Sequence, residues 1–323
     1  MNPNDDNIKI SIIIPVYNEA DILSDFLLAL DRVLDSADFD HELIFIDDGS
    51  TDNSWKLLTD VFNQRSDTTL VSLSRRFGKD TAIFAGLEKA VGDAVVVIDA
   101  DLQDPPEIIL HLVEEWQNDC DIIITIRKQR QGEHWARKVA AKFFYRLIQK
   151  ISDCDLPPDS GDLCLLDRRA VDVVLQFTER TRYFKGLINW IGFRRGFVAY
   201  TRQKRHGGKS KWNYMQLTAF AIDAITSYSR LPLRLWTLAG IGAAGIGFCY
   251  GVYVFFFTLI FGGRVPGYAS MVMLILFLGG IQLISIGVIS EYIGHLFMEV
   301  KNRPLFVVRE TKTPDEEIKP ANP

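Results

Sequence analysis

Between Ile8 and Arg127 the chain alternates two kinds of apolar spacing. Compact apolar runs, rich in β-branched residues, predict strands at Ile8 to Tyr17, His41 to Asp47, Thr68 to Ser74, Ala94 to Asp99 and Asp121 to Arg127. Glu19 to Ser36, Asp52 to Arg65 and Lys79 to Ala90 space their apolar positions at helical intervals and predict helices. Near-continuous apolar strands separated by helices imply an α/β domain with a mainly parallel sheet covered on both faces. In such sheets ligands bind outside the carboxyl ends of the strands.

A different pattern follows. No Asp, Glu, Lys or Arg occurs from Leu235 to Phe261, and none from Val265 to Ser290. A hydrocarbon core about 30 Å thick is crossed by roughly 20 apolar helical residues, so each run predicts a transmembrane helix. Gly262-Gly263-Arg264-Val265-Pro266-Gly267 between them predicts a tight hairpin loop. A buried hairpin in a soluble protein is the alternative; charge-free runs this long exceed ordinary core helices. Arg230 and Arg234 precede the first span and Lys301, Arg303 and Arg309 follow the second, while only Arg264 lies in the loop. The positive-inside tendency therefore predicts that the N-terminal domain and both termini face the cytoplasm.

Composition excludes several classes. The net charge of −5 argues against nucleic acid as a partner. Cys120, Cys154, Cys164 and Cys249 show no paired spacing, so neither a disulfide framework nor a zinc site is predicted. Met1 to Lys9 is polar and acidic, unlike a signal peptide. A dinucleotide-binding oxidoreductase should show G-x-G-x-x-G after the first strand; the turn here reads Pro15-Val16-Tyr17-Asn18-Glu19.

Acidic residues gather at the predicted strand ends: Asp47-Asp48 after the second and Asp99-Ala100-Asp101 after the fourth. Two carboxylates flanking one residue resist joint ionisation. A divalent cation such as magnesium or manganese relieves this and can bridge phosphate oxygens, the charge neutralisation that a nucleotide-sugar's leaving group requires. Asp104 before Pro105, Pro106 and Glu107 predicts a helix N-cap rather than a metal ligand, and Asp52 is a second candidate cap. Asp47, Asp48, Asp99 and Asp101 show no comparable structural role in the sequence.

Ile14-Pro15-Val16-Tyr17-Asn18-Glu19, Asp47-Asp48-Gly49-Ser50-Thr51-Asp52 and Asp99-Ala100-Asp101-Leu102-Gln103-Asp104-Pro105-Pro106 resemble the ordered signatures of the family 2 glycosyltransferases with the GT-A fold. Ser160-Gly161-Asp162-Leu163 and Arg205-His206-Gly207-Gly208-Lys209-Ser210-Lys211 resemble the polyprenyl-phosphate branch, which includes dolichyl-phosphate mannose synthases and bactoprenol glucosyltransferases. The resemblance implies that Pro15, Tyr17, Glu19 and Asp48 contact the nucleotide base and ribose, that Asp99 lies against the nucleotide, and that Asp101 and Gln103 hold Mg2+ or Mn2+. Asp101 and Asp162 are the implied catalytic residues, with Asp162 either a base or a group that positions the sugar; Lys79 has a supporting role. The family more often has Asn where this chain has Arg76, and Arg where it has Cys164. The two-span architecture most resembles the bacterial bactoprenol glucosyltransferases, and that resemblance implies UDP-glucose as donor and undecaprenyl phosphate as acceptor in a bacterial plasma membrane, with GDP-mannose or a UDP-aminoarabinose as the alternative donor. A processive polysaccharide synthase should add Q-x-x-R-W and further spans, and a silent scaffold should lose the acidic triplet.

For the acceptor, Arg127, Arg137, Arg205 and Lys211 are the candidate phosphate ligands, by family position and by the fit of guanidinium to phosphate. Trp135, Val139, Phe143, Leu147 and Ile151 form an apolar stripe beside Lys138, Lys142, Arg146 and Lys150. That pattern predicts an interfacial helix over 134–151, the alternative being an ordinary surface helix. The resulting division is a transferase domain over 1–211, a juxtamembrane helix over 212–232, a transmembrane hairpin over 233–297 and a cytosolic tail over 298–323. Gly247-x-x-x-Gly251 permits either a homo-oligomer or close packing of the two spans of one chain.

Overall fold

The computed structural model describes residues 8–127, 160–177, 179, 184–201, 231–261 and 267–314. The predicted interfacial helix, the juxtamembrane segment up to residue 230, and Arg137, Arg205 and Lys211 lie outside the described residues. The rest forms two compact units, one of them built from the two long apolar helices.

The N-terminal elements follow the predicted alternation: β1 (Lys9–Val16), α1 (Ala20–Leu34), β2 (Asp40–Asp47), α2 (Ser54–Phe62), β3 (Thr68–Leu73), α3 (Lys79–Leu87), β4 (Ala94–Val97), α4 (Ile108–Gln117) and β5 (Ile122–Arg127). Then come β6 (Ser160–Asp167), α5 (Arg168–Leu175), α6 (Phe184–Trp190) and β7 (Arg195–Tyr200), and, after the long helices, β8 (Val308–Lys312). Among the described residues eight strands form one sheet, in the order β7-β5-β6-β4-β1-β2-β3-β8. β4, β1, β2 and β3 run parallel. β6 and β8 run antiparallel to their neighbours, so the sheet is mixed, with a parallel centre.

Alternation along β1 shows why the centre is mostly apolar. Ile10, Ile12, Ile14 and Val16 face one core with Leu23, Phe26 and Leu30 of α1 and Leu112 of α4. Ile13 faces the other, with Phe84 and Leu87 of α3, Val171 of α5 and Ile188 of α6. A strand buried on both faces admits a polar residue only with a partner, as Ser11 has in Glu42, and parallel strands need such cover because their crossovers lie on the faces.

The chain runs outward from β1 through β2 to β3 and then crosses back to β4 on the other side of β1. This reversal is a topological switch point, and a crevice opens there at the carboxyl ends of the strands. It places the turn after β1 beside the acidic triplet after β4.

Residues 303–314 return to the sheet rather than forming a separate tail. β8 pairs antiparallel with β3 (Leu70 with Lys312, Val71 with Thr311), Ser74 N–H donates to the Val307 carbonyl at 2.8 Å, and Phe306 packs on the core. Val308-Arg309-Glu310-Thr311-Lys312 is too charged to signal a core strand. Charge is what a sheet edge tolerates, since it discourages pairing with other chains.

The second unit consists of α7 (Leu231–Phe261) and α8 (Tyr268–Val300). Trp236–Phe261 and Met273–Val300 are long and apolar enough to cross a membrane, with mean hydropathy 1.9 and 2.2. Their large side chains are exposed, Ile246 and Met273 among them, as expected of surfaces that meet lipid. Among the described residues, a Cβ placed on Gly247 or Gly251 would meet no atom of the other helix within 4 Å.

Candidate active site

The turns after β1 and β2 are stitched to each other. Asn18, in the left-handed region at φ 55°, accepts Thr51 N–H on its Oδ1 at 2.8 Å and donates its own N–H to Ser50 Oγ at 3.0 Å. Glu19 N–H donates to Ser54 Oγ, and Asp52 accepts from Ala20 N–H and Ser54 N–H. Burial pushes the Asp52 carboxyl upward, but these hydrogen bonds outweigh it and hold the group below its ordinary value. The N-cap of α2 is Asn53, without a side-chain cap bond, so Asp52 is not the cap; one residue further out, it accepts the first N–H of α2 and ties α1 to it.

Asp47 proves to be structural. It is fully buried; Oδ1 accepts Ser50 N–H at 3.0 Å, Oδ2 accepts Ser72 Oγ–H at 2.9 Å, and Arg309 lies 3.9 Å away. Asp48 points the other way and accepts Phe77 N–H at 2.6 Å and Gly78 N–H at 2.9 Å. Burial raises its carboxyl above the ordinary range despite those bonds. Asp48 therefore fixes the loop from Arg75 to Gly78, and the tight turn beneath it needs Gly49 at φ 66°.

Asp104 also departs from expectation. It is buried and accepts the Tyr200 hydroxyl, while α4 begins only at Ile108 without a side-chain cap. Its partner comes from β7, far along the chain, and that contact outweighs local capping. Gln103 is buried beside it.

One cleft is lined by Pro15, Tyr17, Glu19, Asp48, Asp99 and Asp101, together with Arg76 and Lys79. All five predicted nucleotide-contacting residues and Asp101 therefore share one space of about 170 Å³ at the switch point. Arg76 lies over the Tyr17 ring, its guanidinium carbon 4.3 Å from the centroid. Lys79, at the start of α3, points its ammonium at Asp99 Oδ2 at 2.6 Å and at Asp162 Oδ2 at 3.5 Å. Burial pushes the Asp99 carboxyl up, with Asp162 and Asp104 adding to it and Lys79 opposing. Burial alone would lower the Lys79 ammonium, but Asp99 and Asp162 overcome it and hold Lys79 charged.

Asp162 stands on β6 with an ammonium at each oxygen: Lys185 at 2.8 Å on Oδ1 and Lys79 on Oδ2. The preceding Gly161 is required by close approach, since a Cβ there would come 2.1 Å from Thr125 Oγ1 on β5. Lys185 carries no signal in the sequence; only the fold brings α6 to this place. Cys164 faces the core, and burial pushes its thiol up to about 12, leaving it inert as a nucleophile. Arg127 ends β5, opposite Tyr200 on β7.

Among the described residues, no three His, Cys, Asp or Glu side chains close around a cation position. Asp101 Oδ1 accepts Gln103 N–H at 3.1 Å, and Asp99 is engaged by Lys79. Such a donor set fits a hard cation that takes one or two protein carboxylates and completes its shell with phosphate oxygens and water, the usual way magnesium is held with nucleotides.

Residues 11–175 match the model of glycosyl transferase family 2, and residues 231–296 match the GtrB C-terminal hairpin. An uncharacterized glycosyltransferase of Synechocystis is 45% identical over 94% of this chain and 95% of its own. The SfII prophage-derived bactoprenol glucosyl transferase of Shigella flexneri is 40% identical over 94% of this chain and 98% of its own. A prophage bactoprenol glucosyl transferase homolog of Escherichia coli is 38% identical over 94% and 99%.

Proposed function

The chain belongs to glycosyl transferase family 2, and from that membership we propose that it transfers a hexose from a nucleotide-sugar to a polyprenyl phosphate. UDP-glucose as donor and undecaprenyl phosphate as acceptor are the finer reading, supported by relatives named bactoprenol glucosyl transferases. The observation that carries the donor half is the cleft at the switch point, where Pro15, Tyr17, Glu19, Asp48, Asp99 and Asp101 converge. The acceptor half is supported by the two apolar helices that match a hairpin model.

The proposed chemistry is a single displacement at the anomeric carbon. An oxygen of the lipid phosphate forms the new bond to that carbon; the bond to the nucleotide's β-phosphate oxygen breaks, and its electron pair leaves with the nucleoside diphosphate. Configuration inverts. A phosphate monoester has its second pKa at about 6, so it arrives already largely ionised and needs no strong base. The contacts of Asp162 agree with this. Its carboxylate holds two ammonium groups and is better placed to orient them than to take a proton.

Asp101 and Gln103 would hold Mg2+ or Mn2+, which when bound neutralises the charge of the departing diphosphate. Tyr17 and Pro15 would flank the base, Glu19 and Asp48 the ribose side, and Asp99 the neighbouring nucleotide. Arg127, Arg137, Arg205 and Lys211 remain the proposed ligands of the lipid phosphate. The two spans would anchor the chain in a bacterial plasma membrane with the transferase domain and both termini cytoplasmic, as the distribution of Arg and Lys favours.

The test uses purified full-length protein in detergent with Mg2+, undecaprenyl phosphate and radiolabelled UDP-glucose, GDP-mannose or UDP-aminoarabinose. The proposal predicts label in the organic phase from UDP-glucose. No lipid-phase label from any donor, or label only in a polymer, contradicts it.

A further inference from the structure

Four side chains, from α6, β6, α3 and the turn after β4, form a row of alternating charge that leads into the cleft. Lys185 Nζ on α6 lies 2.8 Å from Asp162 Oδ1 on β6, Asp162 Oδ2 lies 3.5 Å from Lys79 Nζ on α3, and Lys79 lies 2.6 Å from Asp99 Oδ2 in the turn after β4. Lys79 and Asp99 line the donor cleft; Asp162 and Lys185 stand behind them.

Its placement is built into the packing. The ammonium also donates to the Ser160 carbonyl at 3.1 Å, which fixes its position along β6. The preceding Phe184 is buried and meets Phe84 of α3 edge to face, with ring centroids 6.1 Å apart. Asp80 of α3 accepts the Phe184 N–H. The helix that carries Lys185 is thus clamped onto the helix that begins with Lys79, and the two ammonium groups reach Asp162 from opposite sides.

Lys79 is shared between two carboxylates, and the nearer is Asp99. An ammonium on Asp162 Oδ1 weakens the pull of that carboxylate on Lys79 and leaves Lys79 on Asp99. Without Lys185, Asp162 would hold Lys79 more strongly and free Asp99. We propose that Lys185 is a positioning residue for this site: through Asp162 and Lys79 it sets how far the Asp99 carboxylate, which lines the same cleft as Asp101, adds its charge to the pull of Asp101 on the divalent cation that accompanies the nucleoside diphosphate. This rests on the metal-and-diphosphate reading given above.

The test measures Mn2+ binding to the full-length protein in detergent by electron paramagnetic resonance, with and without UDP. In the absence of UDP, Lys185→Met should bind Mn2+ about fivefold more tightly than wild type, the equivalent of about 1 kcal/mol. Lys185→Arg, which keeps the ion pair, should match wild type. In a Lys79→Met background the same Lys185 change should have less than about twofold effect, because the residue acts through Lys79. Where Lys185→Met does not fold, Lys185→Gln retains a donor toward Asp162 without the charge and takes its place. An unchanged affinity, or an equal change with and without Lys79, overturns the proposal; the second result would show only the field of a removed charge. Failure of every protein, wild type included, to bind Mn2+ even with UDP would overturn the metal reading itself, and the inference with it.

Discussion

The guanidinium of Arg76 covers the ring of Tyr17 at the mouth of the cleft, 4.3 Å from the ring centroid. A cation held there by the aromatic face also faces the space proposed for a multiply charged diphosphate. Arg76→Ala should weaken UDP binding about fivefold, corresponding to the ~1 kcal/mol of an exposed cation–π or ion-pair contact. It should also flatten the salt dependence of binding. Calorimetric titration with UDP at two ionic strengths checks both; unchanged affinity and slope would mean Arg76 is only a cover for Tyr17.

Gly49 holds the loop after β2 against the loop before α3. A Cβ at this position would lie 2.5 Å from the Arg75 carbonyl carbon and 2.7 Å from Arg76 N, and φ is 66°. Gly49→Ala should therefore cost roughly 1–3 kcal/mol of stability, since backbone atoms rather than a flexible side chain must move. The displaced loop carries Arg76 and the two N–H groups on Asp48, so UDP affinity should fall as well. Thermal unfolding and UDP titration of the variant test this, and wild-type behaviour in both would contradict the geometry.

Asp80, in the first turn of α3, gives a pH prediction. Burial pushes its carboxyl up to about 6 from an ordinary 3.8; Asp162 adds to the rise, while Lys79, Lys185 and the Phe184 N–H oppose it. Between these values the native state keeps a proton that the unfolded chain has lost. The stability contributed by this group is therefore full below pH 3.8 and is lost as pH rises through about 6. Asp80→Asn should remove that part of the pH dependence. Melting curves across this window should converge for the two proteins at the acidic end and separate toward pH 7, with the variant the more stable; parallel curves would count against the shift.

β8 is added to the sheet from beyond the second long helix. Ending the chain after Arg303 removes the strand, uncovers the edge of β3 and takes Phe306 off the core. The shortened protein should melt lower and self-associate more, because an unpaired strand edge invites pairing between chains. Size-exclusion chromatography and thermal unfolding in detergent decide the matter, and equal behaviour of the two proteins would mean that β8 adds nothing.

The parallel half of the sheet was legible because burial on both faces forces unbroken apolar runs such as Ile12 to Val16 and Ala94 to Val97. The acidic turns were legible for a related reason, since charged residues stand out at the ends of such strands. Other features depend on partners far along the chain. Asp47 reads like Asp48, yet Ser72 and Ser50 make it structural. Asp104 reads like a helix cap, yet Tyr200 claims it from β7. β8 is short and charged, and only the open edge of β3 makes it a strand. Lys185 has no motif and gains its place from the packing of Phe184 on Phe84.

The central claim is that the cleft around Asp99 and Asp101 serves transfer of a hexose to a lipid phosphate. Its most direct test is the initial rate of label transfer from UDP-glucose into undecaprenyl phosphate by wild type and Asp101→Asn at saturating Mg2+. The expected result is lipid-linked glucose of inverted configuration from wild type and a rate lower by roughly 100-fold or more in the variant, the order lost with a principal electrostatic contact in a transition state. Equal rates in the two proteins, or transfer that proceeds without the lipid phosphate, would contradict it.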